Sequence, residues 1–115
     1  MITGFKKQTK ELTTKEMALV PLVVNILETR KGKKQAITNR KIIKILKNIG
    51  YRTTPPRIRK IIRHIRINGS IKKLIATSKG YYVSTKKSEL DDYIQSLYQR
   101  SNSIQLIAQK LNSQR

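Results

Sequence analysis

The chain has 115 residues, no cysteine, one histidine and a formal net charge of +20, from 26 lysines and arginines against six acids. The lack of cysteine excludes a disulfide framework and a thiolate zinc site, and a single histidine excludes a zinc finger. An isoleucine-rich apolar content of 37% suits one small packed domain rather than a disordered basic tail, although so much like charge opposes compaction.

Residues 1–12 read as a flexible basic arm with Lys6, Lys7 and Lys10. This opening has no apolar signal core, so export is not expected, and a cytoplasmic protein is. Thr13 followed by Glu16 fits a capping box, which satisfies orphan amides at a helix start. The helix it opens is expected to reach about Lys31, with Leu19, Val20, Val23, Ile26 and Leu27 on its apolar face, and to stop at Gly32. Pro21 either kinks it or marks the first turn of its main segment. Met17 to Leu27, the most apolar stretch, is too short to span a bilayer.

Ala36 and Ile37 leave room for a very short strand. Thr38 caps a second helix to about Ile49, with Ile42, Ile43, Leu46 and Ile49 on one side and Arg40, Lys41, Lys44 and Lys47 on the other. Gly50 stops it. Thr54 ahead of Pro55 and Pro56 starts a third helix, which Asn68-Gly69 closes. Its apolar face holds Ile58, Ile61, Ile62 and Ile65. Opposite stand Pro56, Arg59, Lys60, Arg63 and Ile67, flanked by Arg57, His64 and Arg66. Ile71–Ala76 and Tyr81–Thr85 are β-prone runs joined through Thr77-Ser78-Lys79-Gly80, a hairpin with Gly80 at the tight connection. Alternation turns one of Tyr81 and Tyr82 to the core and the other outward. Ser88 starts a last helix with Glu89, Asp91 and Asp92 in its first turn, where the helix dipole favours acids. The fold class is mainly α with a small β-hairpin (α+β). It is organised as an arm (1–12), a central domain (13–87) and a C-terminal helical extension (88–115).

Charge is distributed unevenly over this order. Between Thr29 and Lys87 stand nineteen lysines and arginines and no acid. Solvated helix faces ordinarily mix signs for i,i+4 pairing, and the third helix has none of that. Coding bias would raise lysine but would not remove glutamate and aspartate. The expected partner is a polyanion, and double-stranded DNA offers about one charge per 1.7 Å of axis. An α-helix fits the major groove, where arginine reads guanine bidentately. Thr53 and Thr54 sit where a hydroxyl and free helix amides bind phosphate.

Helices two and three, joined through Gly50–Thr53, make a helix-turn-helix pattern, and a hairpin follows directly. The run Arg57-Ile58-Arg59-Lys60-Ile61-Ile62-Arg63-His64-Ile65-Arg66 with Asn68-Gly69 leads into Ile75-Ala76-Thr77-Ser78-Lys79-Gly80-Tyr81-Tyr82, then Ser88-Glu89-Leu90 with Tyr93-Ile94. On these residues, Ile37 to Leu97 resembles the winged helix-turn-helix superfamily, in particular small winged-helix proteins of phages and other mobile elements. The resemblance implies a winged helix-turn-helix fold. The 54–68 helix would enter the major groove and the 71–85 hairpin would flank it as a wing, in transcription regulation or replication, near the nucleoid of a bacterium or in a host cell. The expected base-side contacts are Thr53, Thr54, Pro56, Arg57, Arg59, Lys60, Arg63, His64 and Ile67. Wing and backbone contacts are expected from Arg40, Lys41, Lys44, Arg52, Lys72, Lys73 and Lys79. A non-specific architectural or RNA-binding protein is the alternative.

The last helix spaces Leu90, Ile94, Leu97, Ser101, Ile104, Ala108 and Leu111 by alternating fours and threes, a heptad seam weakened at Ser101 and Ala108. Its first half is expected to close the core against the first helix. Leu97, Ile104 and Leu111 are candidates for homodimerisation. An enzyme is not expected: the one acid cluster, Glu89, Asp91 and Asp92, is explained by capping, and no glycine-rich phosphate loop is present. No cofactor, metal site, membrane role or small-molecule substrate is expected either.

Overall fold

Start and stop signals along the chain set four helices and one hairpin in the computed structural model, which describes residues 11–115. They are α1 (Thr14–Glu28), a 3₁₀ turn (Lys33–Gln35), α2 (Asn39–Asn48), α3 (Pro55–Asn68), β1 (Leu74–Thr77), β2 (Gly80–Val83) and α4 (Lys87–Ser113). The protein is mainly helical, with a two-stranded antiparallel sheet. Of the expected arm, residues 1–10 with Lys6, Lys7 and Lys10 lie outside the described residues. Leu12 is no part of an arm, because it is half-buried against the core.

Both halves of the first capping box form. Glu16 N donates to Thr13 Oγ1 at 3.2 Å, and Thr13 N donates to Glu16 Oε1 at 2.8 Å. The helix runs through the exposed Pro21 but ends at the Thr29 cap, earlier than Gly32. The reason is long-range: the backbone turns out to pair with β2, where Val83 N donates to Arg30 O at 2.7 Å and Gly32 N to Val83 O at 2.9 Å. Thr38 caps α2 through Lys41 N at 3.2 Å. The expected strand at Ala36-Ile37 is a single bridge, Ile37 to Tyr81, with bonds of 2.9 and 2.8 Å. Arg30–Ile37 is thus a loop pinned at both ends to one edge of β2, whose other edge carries β1.

The hairpin pairs Leu74 with Val83 through to Thr77 with Gly80, and Ser78-Lys79 forms the turn. Gly80 has no substitute here. Its φ is +121°, and a Cβ would lie 2.4 Å from Ile37 O, a contact that the Ile37 bridge enforces. Leu74, with half-buried Tyr81 and Val83, belongs to the helical core. Ile75 and Tyr82 pair on the opposite face and are also buried. Burial raises the Tyr82 pKa, and Glu89 and Tyr93 nearby push it further up.

The core is contributed by α1, α2, α3, the hairpin and Ile37, and not by α4. Val23 and Leu27 of α1, Ile37, Ile42 and Leu46, and Ile58, Ile61 and Ile65 of α3 are all 0% exposed. This corrects the expectation for the last helix: it holds no buried residue, and of its apolar side chains only Leu90 and Tyr93 are half-buried. Helices α1–α3 and the hairpin already close the core, which leaves nothing for α4 to cover beyond its first turns. Nor does Ser88 cap it. The cap is Lys86, and Leu90 N donates to Lys86 O at 3.2 Å. No described helix is long and apolar enough to cross a membrane.

Candidate nucleic-acid interface

Helix α3 buries Ile58, Ile61, Ile62 and Ile65, so the remaining side of its cylinder must face water. Pro56, Arg57, Arg59, Arg63 and Ile67 are exposed there, Ile67 at 68%. No acid stands among them. The residues expected from the sequence therefore lie on the outer side, Arg57 at its flank, with four exceptions.

Lys60 is the first. Its ammonium lies 2.8 Å from Glu16 Oε1, the one ion pair among the described residues, with side chains 30% and 5% exposed. Lys60 belongs to the fold and not to the outer strip. Its four-carbon stem lets a residue on the outer side fold down to α1, where a nearly buried carboxylate needs a counter-charge. Burial alone would raise the Glu16 pKa. The Lys60 ammonium and the Thr13 amide and hydroxyl outweigh it, so the carboxyl is held below its ordinary value.

Thr53 and Thr54 are the second and third. Thr54 occupies the cap position of α3, but its side chain makes no cap bond. Pro55 and Pro56 have no N–H, so two of the amides that would hold a phosphate at a helix start are missing. This leaves fewer amides at that helix start, beside the Thr54 hydroxyl. Thr53 Oγ1 is buried without a hydrogen-bond partner. The fourth is His64, half-buried, which takes a hydrogen bond at 3.0 Å from the Asn68 side-chain amide on the next turn. It is part of a local helix-end contact. On the flank, Arg66 donates to Tyr93 Oη at 2.7 Å, tying α3 to α4.

The other expected cations do not form one group. Arg40, Lys41, Lys44 and Arg52 are exposed on α2 and on the connection into α3. Lys79 is at the hairpin turn. Lys72 and Lys73 sit before β1, lining a shallow groove with Leu90, Ile94 and Leu97 of α4. Lys73 adopts φ +64°, the one positive φ outside glycine among the described residues. Half-buried Tyr81 faces α3. Burial raises its pKa, while Arg59 and Arg66 pull the other way.

A basic cleft went unread in the sequence. The pinned Arg30–Ile37 loop, the hairpin turn and the segment after β2 enclose about 770 Å³ lined by Lys31, Lys33, Lys34, Lys79 and Lys86, with Glu89 its one acid. Ammonium groups brought together by a fixed backbone repel one another, which a bound polyanion relieves. Lysines in sequence gave the charge, but their convergence depends on the backbone bonds to β2. Among the described residues no three His, Asp or Glu side chains gather as metal ligands would. Compared with known proteins, the chain matches no family profile, no curated protein and no solved structure.

Proposed function

We propose that this chain is a winged-helix protein that binds double-stranded DNA sequence-specifically, with α3 in the major groove and the β1–β2 hairpin as the wing. The observation that carries the reading is the acid-free strip of Arg59, Arg63 and Ile67, with Arg57 at its flank, exposed along a helix whose other side is locked in the core. Arginines held at a fixed pitch on a rigid helix suit base edges, which demand fixed donors. Arg40, Lys41 and Lys44 on α2, with Lys79 at the hairpin turn, supply backbone charge. The order of helix, bridge, helix, helix and hairpin, with β2 between the Ile37 bridge and β1, supports the wing. A role as regulator or replication accessory of a phage or mobile element rests on the resemblance of Ile37–Leu97 alone.

The lysine cleft favours a second reading, a non-specific architectural or RNA-binding protein, since lysines around an open cleft hold phosphates without reading bases. Selection of bound duplexes from a random pool at moderate salt separates the two. The first reading expects a recovered consensus that unrelated duplex does not displace. A pool that stays random, with affinity falling uniformly as salt rises, supports the second.

A further inference from the structure

Seven of the eleven large apolar side chains exposed among the described residues lie on one helix, α4: Ile94, Leu97, Tyr98, Ile104, Leu106, Ile107 and Leu111. Beyond Leu97 every residue of that helix is exposed. A helical stretch with no tertiary cover is marginal in water, since helices in proteins draw their stability mainly from a packed apolar face. Leu97, Ile104 and Leu111, seven residues apart with Ile107 beside them, form such a face.

Charge selects what covers it. Lys87, Arg100 and Lys110 balance Glu89, Asp91 and Asp92, so α4 is neutral in a chain of net charge +20. A second copy of so basic a protein is repelled from nearly every other surface, and this helix is where two copies can touch. The seam also continues into the body, because Leu90, Ile94 and Leu97 line the groove beside Ile71 and Leu74.

We propose that α4 pairs antiparallel with the α4 of a second copy, the far end of each helix seating toward the groove at the base of the other. Antiparallel pairing brings the acids near the start of one helix toward Lys110 at the end of its mate. A parallel pair would set like charges side by side and press the two basic bodies together. With 27 residues in α4, the bodies stand apart by about 40 Å at roughly 1.5 Å per residue. Where the duplex reading also holds, that is on the order of one helical turn between half-sites, about 34–36 Å.

Self-association is tested without DNA, so its outcome is separate from the duplex reading. Sedimentation equilibrium of the full chain across the micromolar range should show a dimer. Ile104→Asp with Ile107→Asp should weaken association at least tenfold, while the unfolding of the body is unchanged because both side chains are exposed. The chain lacks cysteine, so single-cysteine variants report the direction: Ser101→Cys, near the helix centre, should form a disulfide-linked dimer readily and Leu111→Cys poorly. A monomer throughout the range, or a double variant that associates like the wild type, overturns the pairing. Leu111→Cys linking as readily as Ser101→Cys overturns its antiparallel sense.

Discussion

Helices α3 and α4 both carry isoleucines and leucines at helical spacing, yet α3 hides four isoleucines and α4 hides nothing. Their difference lies in what surrounds them. Helix α3 packs between α1 and α2, and its apolar side is consumed by the fold, so the rest of its surface is free to carry function. Helix α4 leaves the body after its first turns, so its apolar side is itself the feature left to explain. A periodic apolar stripe says that something covers a helix; it does not say whether the cover is the same chain.

Substitutions in the two helices test this contrast. Ile61→Ala on α3 should cost about 2–5 kcal/mol in urea unfolding, the range for truncating a packed isoleucine. Ile107→Ala on α4 should leave the midpoint of the body where it is. Equal losses would abolish the distinction. Arg59→Ala and Arg63→Ala should each cost roughly 1–3 kcal/mol on a selected duplex and relax specificity, whereas Lys33→Ala or Lys79→Ala should weaken all duplexes alike and flatten the salt slope.

Lys60 sharpens the contrast within α3 itself. Lys60→Ala strands the nearly buried Glu16 and should destabilise the fold by about 1–2 kcal/mol, less than a fully buried pair because Lys60 is partly exposed. Its effect on base preference should be nil, unlike that of its neighbour Arg59. The pH dependence has a definite sign. Glu16 titrates below its ordinary value in the folded chain, so its stabilisation is complete above the unfolded-state pKa and lost as pH falls through the folded one. In Lys60→Ala, acid unfolding should lose that component. The smallest effect is at the hairpin entry. Lys73→Gly relieves a left-handed backbone and should stabilise by about 1 kcal/mol at most, while removing a cation from the groove.

Much of the fold was legible because helix boundaries are written locally. Thr13 with Glu16 and Thr38 mark helix starts by side-chain caps, Pro55 marks one by its fixed φ, and Gly69 marks an end by its left-handed backbone. The Arg30–Ile37 loop and its cleft were not, because backbone bonds to β2 build them, and such bonds leave no pattern in side-chain identity. The Lys60 ion pair is hidden from the sequence for a related reason. A helical wheel shows which side a residue leaves from, but not that its ammonium reaches a carboxylate 44 positions away. At Thr53–Thr54 the two prolines that favour a helix start also remove two of its first donors, which leaves fewer amides for a phosphate there.

In the proposed binding mode α3 reads base sequence while the lysines only hold the duplex. The most direct measurement is the affinity of Arg63→Ala and Lys79→Ala for a selected duplex and for its scrambled counterpart at one salt concentration. Arg63→Ala should narrow the ratio between the two duplexes, and Lys79→Ala should leave the ratio intact while lowering both affinities. Equal losses on both duplexes for both variants would contradict that mode.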